Sequence, residues 1–201
     1  MGNYQKIIPR RDYLRDTFDT ATNVLLGAYL CTDIGGTFCA GKITELEVYL
    51  GDVDRASHAW PNKQTPRNRV MFGPGGFVYM YLIYGMYPMF NVVAGAEGVP
   101  HAVLVRALEP VLGLEAMKQR RGTDKLQNLT SGPGKLAVAM GLSLEHYGLD
   151  LTAGKTVWLS PKTETIEVLA GKRIGIDYAG PDRDLPWRFV IKGNSFVSKP
   201  I

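Results

Sequence analysis

The sequence predicts an α+β fold: a single domain over residues 1–201, with a mixed, mostly antiparallel curved sheet, a few helices and a projecting β-hairpin. Three observations predict it. A chain of 201 residues suits one large domain better than two. Its 23 glycines and 12 prolines are spread as punctuation between short apolar runs, which favours short strands and turns over long helices. Those runs do not follow the regular βαβ alternation of a doubly wound sheet.

In chain order, Asp19 is placed to cap a short helix through Leu26, ended by Gly27. Residues 28–32 and 38–50 read as strands. Residues 52–68 are polar and rich in turn formers, a loop long enough to suggest function. Residues 77–84 and 86–94 read as the arms of a hairpin that turns at Tyr84-Gly85. Pro88 suits an edge strand, as a projecting arm requires. Residues 102–107 form another strand. Residues 113–121 read as a helix with Lys118, Arg120 and Arg121 in its last turn and Gly122 after it. Ser131 is placed to cap a helix over residues 133–140, closed by Gly141. Residues 157–159, 165–169, 173–176, 188–192 and 195–197 read as later strands, with a tight turn at Gly193-Asn194.

Composition narrows the function classes. The formal net charge is +4 with a pI near 9.0, which permits a nucleic-acid partner without requiring one. Cys31 and Cys39 read as small core residues, not as a disulfide framework. His58, His101 and His146 are scattered, with no metal-ligand spacing, so no metal is expected. No G-x-G-x-x-G or Walker loop is present, so no cofactor is expected either. The N-terminal stretch MGNYQKIIPRRDYLRD lacks the apolar segment of a secretory signal, and no run reaches transmembrane length. The expectation is no membrane partner and a cytosolic protein, with access to the nucleoid in a bacterium or the nucleus in a eukaryote.

Several residues stand out chemically. Glu45, Glu47 and Tyr49 alternate along a strand-like run, so they share one face while Leu46 and Val48 take the other. That face is either a solvated exterior or a rigid mount for a general base. Tyr79, Tyr81, Tyr84 and Tyr87 crowd the hairpin. Strand propensity accounts for some of them, but Tyr84 at the turn has little core to enter and suits a tip that wedges between stacked bases. Asn91 interrupts an apolar run, so its amide must satisfy a backbone group or read a ligand edge. Arg106 pairs with Glu109 or another carboxylate, or meets a phosphate. Ser131-Gly132-Pro133-Gly134-Lys135 leads into a helix N-terminus, a weak phosphate-site signal.

Together these segments resemble the alkyladenine (3-methyladenine) DNA glycosylase family of the non-helix-hairpin-helix type, over residues 19–198. The strongest stretch is GKITELEVYLGDVDRASHAWPNKQTPRNRVMFGPGGFVYMYLIYGMYPMFNVV, supported by AVLVRALEPVLGLEAMKQRR, SGPGKLAVAMGL, RIGI and PWRFVIKGNSFVS. The resemblance implies roles residue by residue. The second Glu of the family's Glu-Thr-Glu-Ala-Tyr motif, which activates water, falls on Glu47, and the motif's Tyr on Tyr49. Tyr49 and His58 on one side and Tyr81 on the other would sandwich an extruded base. Tyr84 would fill the gap left in the duplex. Asn91 would disfavour normal guanine, Arg106 would contact the flipped nucleotide's backbone, and main-chain atoms near Ala56 and His58 would read the base edge. Leu46 and Val48 replace the family's Thr and Ala, on the side away from Glu47.

The resemblance therefore implies a monofunctional enzyme, acting as a monomer on double-stranded DNA without a partner-binding extension. It would flip damaged purines (alkylated adenine and guanine, hypoxanthine, ethenoadenine), hydrolyse the N-glycosidic bond and leave an abasic site. Stacking would favour cationic alkylpurines. Three other readings compete: a nucleic-acid-binding module without catalysis, a hydrolase of free nucleosides, for which a stack-filling Tyr84 would have no use, and a shared fold with another function.

Overall fold

The computed structural model describes residues 4–201; the first three residues of the N-terminal stretch lie outside it. Two short helices, α1 (Arg10–Tyr13) and α2 (Thr17–Asp19), come first, and α2 widens into a π-helical turn over Thr20–Leu25. Asp16, not Asp19, caps this helix, accepting from the N–H groups of Phe18 and Asp19 at 2.9 and 3.2 Å. Asp19 lies inside it and holds Arg15 and Asn23 instead. The strands β1 (Tyr29–Ile34), β2 (Thr37–Leu50), β3 (Val78–Ile83), β4 (Tyr87–Ala94) and β5 (His101–Leu112) follow. Helices α3 (Leu114–Arg121), α4 (Gln127–Thr130) and α5 (Pro133–Met140) precede β6 (Val157–Ser160), β7 (Val168–Gly171) and β8 (Arg188–Ile191).

Four further expectations are corrected. Gly132 rather than Ser131 occupies the cap position of α5; Ser131 bridges to Ala107. Residues 195–197 form a turn, not a strand, and β7 starts only at Val168. Residues 173–176 are not a strand, because the Ile174 N–H is spent on a side-chain carboxylate and Arg173 turns inward to an ion pair.

All strand pairs are antiparallel, in the order β3-β4-β5-β2-β1-β6. Strand β2 is the axis. One edge pairs with β5; the other pairs with β1 over its first half and with β8 at Glu45, Leu46 and Glu47. Its register against β5 slips near Gly41 and on both sides of Glu45, and such bulges bend a strand and re-aim its side chains. Leu46 and Val48 enter the main core with Phe90, Val103, Val105 and the helix residues Met117, Leu136 and Met140. Glu45 and Glu47, on the opposite face, are also fully buried, so the solvated-exterior reading fails.

The hairpin projects as expected. Strand β4 pairs with β5 only over Asn91–Ala94, while its outer half pairs with β3 alone. Pro88 sits in that outer half, where the missing N–H costs no sheet bond to a second neighbour. The turn holds Tyr84 at φ 54° and Gly85 at φ 70°, and the Ile83 carbonyl accepts from Met86 N–H at 3.2 Å.

Gly51 ends β2 and starts the long loop. A Cβ there would lie 2.5 Å from the Pro100 carbonyl oxygen and 2.7 Å from the Ala59 methyl. Gly51→Ala is expected to lower stability by about 1–3 kcal/mol through overpacking. Urea unfolding checks this; an unchanged midpoint would show that the loop yields freely.

Candidate active site

The site begins with β2. Glu47 is clamped by backbone pairing on both edges, to Leu104 and to Arg188. Its side chain has no solvent exposure. Oε2 accepts from the Tyr49 hydroxyl at 2.7 Å and from Arg106 Nη1 at 3.2 Å, and Oε1 accepts from Ile174 N–H at 2.7 Å. Glu45 is held differently. It accepts from Arg106 Nε (3.0 Å), Arg188 Nη1 (3.1 Å), and the N–H and hydroxyl of Ser198 (2.6 and 2.9 Å). Arg106 thus bridges both carboxylates. Burial alone would favour the neutral guanidinium, but Glu47 and Glu45 outweigh that and raise its pKa.

A cavity of about 520 Å³ opens beside this network, within the roughly 300–1,000 Å³ usual for small-molecule sites. Tyr49, Ala56, His58, Tyr81, Tyr84, Asn91 and Arg106 all line it, as does Ile174. Glu47 does not; it lies one layer beneath, and each of its three partners is a lining residue. Of Glu45's partners only Arg106 reaches the cavity. Among the described residues no cluster of His, Cys, Asp and Glu is placed to hold a metal.

The aromatic walls are arranged differently from the expected sandwich. His58 packs edge-on against Tyr81, with ring centres 4.5 Å apart, and its Nδ1 lies 2.8 Å from the Tyr79 hydroxyl. His58 therefore belongs to the Tyr81 wall, and Tyr49 makes no ring contact with it among the described residues. Asn68 sets this: its side-chain amide donates to the carbonyls of His58 and Lys63 at 2.9 Å each and ties the loop's inner turn. His58 stays accessible at the mouth, but desolvation, with the Arg67 charge second, lowers its pKa to about 4. It is neutral at pH 7.

Other expected residues have partners of their own. The Asn91 amide donates to the carbonyls of Tyr79 (3.1 Å) and Met89 (3.3 Å), so its nitrogen is committed and Oδ1 is not. Ala56 donates to Asp54 and accepts from the Tyr178 hydroxyl. The His58 N–H has no hydrogen bond among the described residues. Of the two readings of Arg106, the structure shows the carboxylate pairing, with Nε and Nη1 on Glu45 and Glu47 and not on Glu109, which accepts from Asn194. Tyr84 is 87% exposed at the cavity's outer edge.

Sequence reasoning missed Arg173, Ile174, Tyr178 and Arg67. Arg173 is buried, paired with Asp54 (Nη1–Oδ2 2.5 Å, Nη2–Oδ1 2.8 Å) and stacked over the rings of Tyr49 and Trp187 at 4.8 and 5.1 Å. The pair spans 119 residues, so no local pattern could show it.

A family model described as methylpurine-DNA glycosylase (MPG) matches residues 11–195. Curated relatives carry the name "Putative 3-methyladenine DNA glycosylase". One from Alkaliphilus oremlandii is 43% identical over 201 residues, covering 96% of this chain and 98% of its own. One from Clostridium acetobutylicum is 43% identical over 197 residues, covering 94% and 96%. One from Bacillus cereus (strain G9842) is 45% identical over 202 residues, covering 95% and 98%. The match runs through every strand and through all the residues that surround Glu47, and this chain accordingly belongs to the methylpurine-DNA glycosylase family, monofunctional hydrolases of N-glycosyl bonds that excise alkylated bases from DNA.

Proposed function

We propose that the enzyme flips a damaged purine nucleotide out of duplex DNA into the cavity between Tyr49 and the His58–Tyr81 wall. Glu47 then aligns a water for attack on the anomeric carbon. One observation carries this reading: the three groups that hold Glu47 all line the cavity that holds the rings and opens at Tyr84.

The chemistry follows from the parts. As the glycosidic bond lengthens, the sugar gains oxocarbenium character, which a nearby carboxylate stabilises. Oε2 of Glu47 already accepts two hydrogen bonds, while Oε1 accepts only the Ile174 N–H. A carboxylate oxygen takes about two donors, so Oε1 keeps acceptor capacity for a water. Alkylated cations leave as neutral bases; hypoxanthine and ethenoadenine need a proton or hydrogen bond at the leaving face. No lysine lines the cavity, so an imine to the sugar has no amine to form it.

Flipping costs a few kcal/mol, and stacking in the cavity offsets about 1–3 kcal/mol of it. Tyr84 enters the vacated stack. A non-glycine residue at positive φ carries strain of order 1–3 kcal/mol, and strain kept at an exposed turn supports a functional tip. Asn91 rejects guanine by occupying space: its amide is pinned, so it cannot swing away from a 2-amino group. The unbonded His58 N–H reads the base edge. Arg106 has Nη2 left for the nucleotide, its other nitrogens steadying Glu47. All these groups come from one chain, consistent with a monomer. In a bacterium like those of its relatives, it would act on the nucleoid.

Three outcomes are expected. Glu47→Gln should lower single-turnover excision from a lesion duplex by about 100-fold or more, with lesion binding retained; undiminished excision would remove the catalytic assignment. Tyr84→Ala should weaken binding and flipping, read by a fluorescent base beside the lesion, more than it slows chemistry; unchanged flipping would remove the tip's role. The third concerns pH. Folding lowers the His58 pKa from 6.5 to about 4, so between those values the unfolded chain binds more protons. The His58 contribution to stability is complete above about 6.5 and is lost as pH falls toward 4. Acidification from about pH 7 to 5 should therefore lower the melting temperature of the wild type more than that of His58→Gln. Equal losses would contradict it.

A further inference from the structure

We infer that the stacking walls are weighted toward neutral purine lesions, because the ring of each wall already carries an arginine. This rests on the flipping reading above and concerns which bases the same cavity prefers. Arg173 lies outside the cavity lining and stands 4.8 Å from the ring centre of Tyr49, which does line it. Arg67, at the rim, stands 5.2 Å from the ring centre of Tyr81.

Arg173 is fixed in that role. Its terminal nitrogens go to Asp54, the Val48 carbonyl and the Asp182 carbonyl. Its Nε is buried with no oxygen or nitrogen partner. The rings of Tyr49 and Trp187 flank the guanidinium and account for that orphaned group. Arg67 forms no ion pair among the described residues, so its charge is not offset locally. That charge is felt in the site, as one of the two causes that keep His58 neutral.

The consequence is electrostatic. A ring attracts a cation through the negative face of its quadrupole. A guanidinium drawn to a ring polarises it, so a second cation meets a weakened face on either ring and, on Tyr81, the charge of Arg67 as well, which no ion pair offsets among the described residues. A neutral purine stacks on the same ring without that penalty. The walls therefore give cationic alkylpurines less than bare tyrosines would, contrary to the preference expected from aromatic residues alone. Cationic bases need that help least, since their glycosidic bonds are already weak. Neutral lesions, whose bonds are strong, depend on the cavity.

The test compares two bases that differ only in charge. Duplexes carry 7-methyladenine or its uncharged 7-deaza counterpart, each on a 2′-fluoro sugar that resists hydrolysis, and dissociation constants are measured for wild type, Arg67→Met and the paired variant Asp54→Asn/Arg173→Met. General loss of DNA affinity cancels in the cation-to-neutral ratio. Both variants are expected to shift that ratio toward the cation, by about two- to fivefold. A ratio unmoved in Arg67→Met and in the folded paired variant overturns the inference. If the paired variant does not fold, Arg67→Met decides alone. Wild type that binds neither lesion duplex more tightly than an undamaged one overturns the flipping reading itself, and this inference with it.

Discussion

The structure turns on one guanidinium. Arg106 comes from the middle of β5 and reaches across to β2, where it meets Glu45 with one nitrogen and Glu47 with another. Two carboxylates on one strand face, both sealed from water, would repel each other without a cation between them. The register slips around Glu45 bring the three groups together. Replacing a buried, doubly engaged arginine would leave two charges stranded, an arrangement far more costly than never having buried them. The sheet, the bulge and the ion network thus form one solution.

The two acids then divide the work through their surroundings. Glu45 faces Arg188 and Ser198, and Arg188 in turn donates to the carbonyls of Lys199 and Pro200. Glu45 is a structural anchor that draws residues 198–200 onto the sheet. Glu47 faces groups that border open volume, and it keeps an oxygen with only one donor. Position along the strand, two residues apart, separates a carboxylate whose partners lie in the fold's interior and C-terminal stretch from one whose partners border the cavity.

Much of this was legible in the sequence because it is local. The alternation through Glu45, Glu47 and Tyr49, the hairpin around Tyr84-Gly85 and the edge character of Pro88 all follow from strand periodicity and turn chemistry. Seven of the eight expected site residues line the cavity, and the eighth, Glu47, sits directly behind it. What could not be read was set by distant partners. The burial of the acidic face needed Arg106, Arg188 and the stretch near Ile174. The side on which His58 stands was decided by Asn68 folding the loop inward. Residues 173–176 look like a strand by composition, but their polar groups are spent on Asp54 and Glu47. Asp16 outcompeted Asp19 as a cap by a three-residue shift, a boundary error that periodicity does not resolve.

Tyr84 sits in a left-handed conformation that its neighbours enforce, at the end of two strands that support only each other. The cost of that posture is met once, when the chain folds, and not again at each meeting with a duplex. In the proposed role, such a tip would need no reshaping before it meets a base pair. Discrimination at this first step would, in that role, rest with the duplex: pairs weakened by damage would yield to a preformed projection more readily than intact pairs.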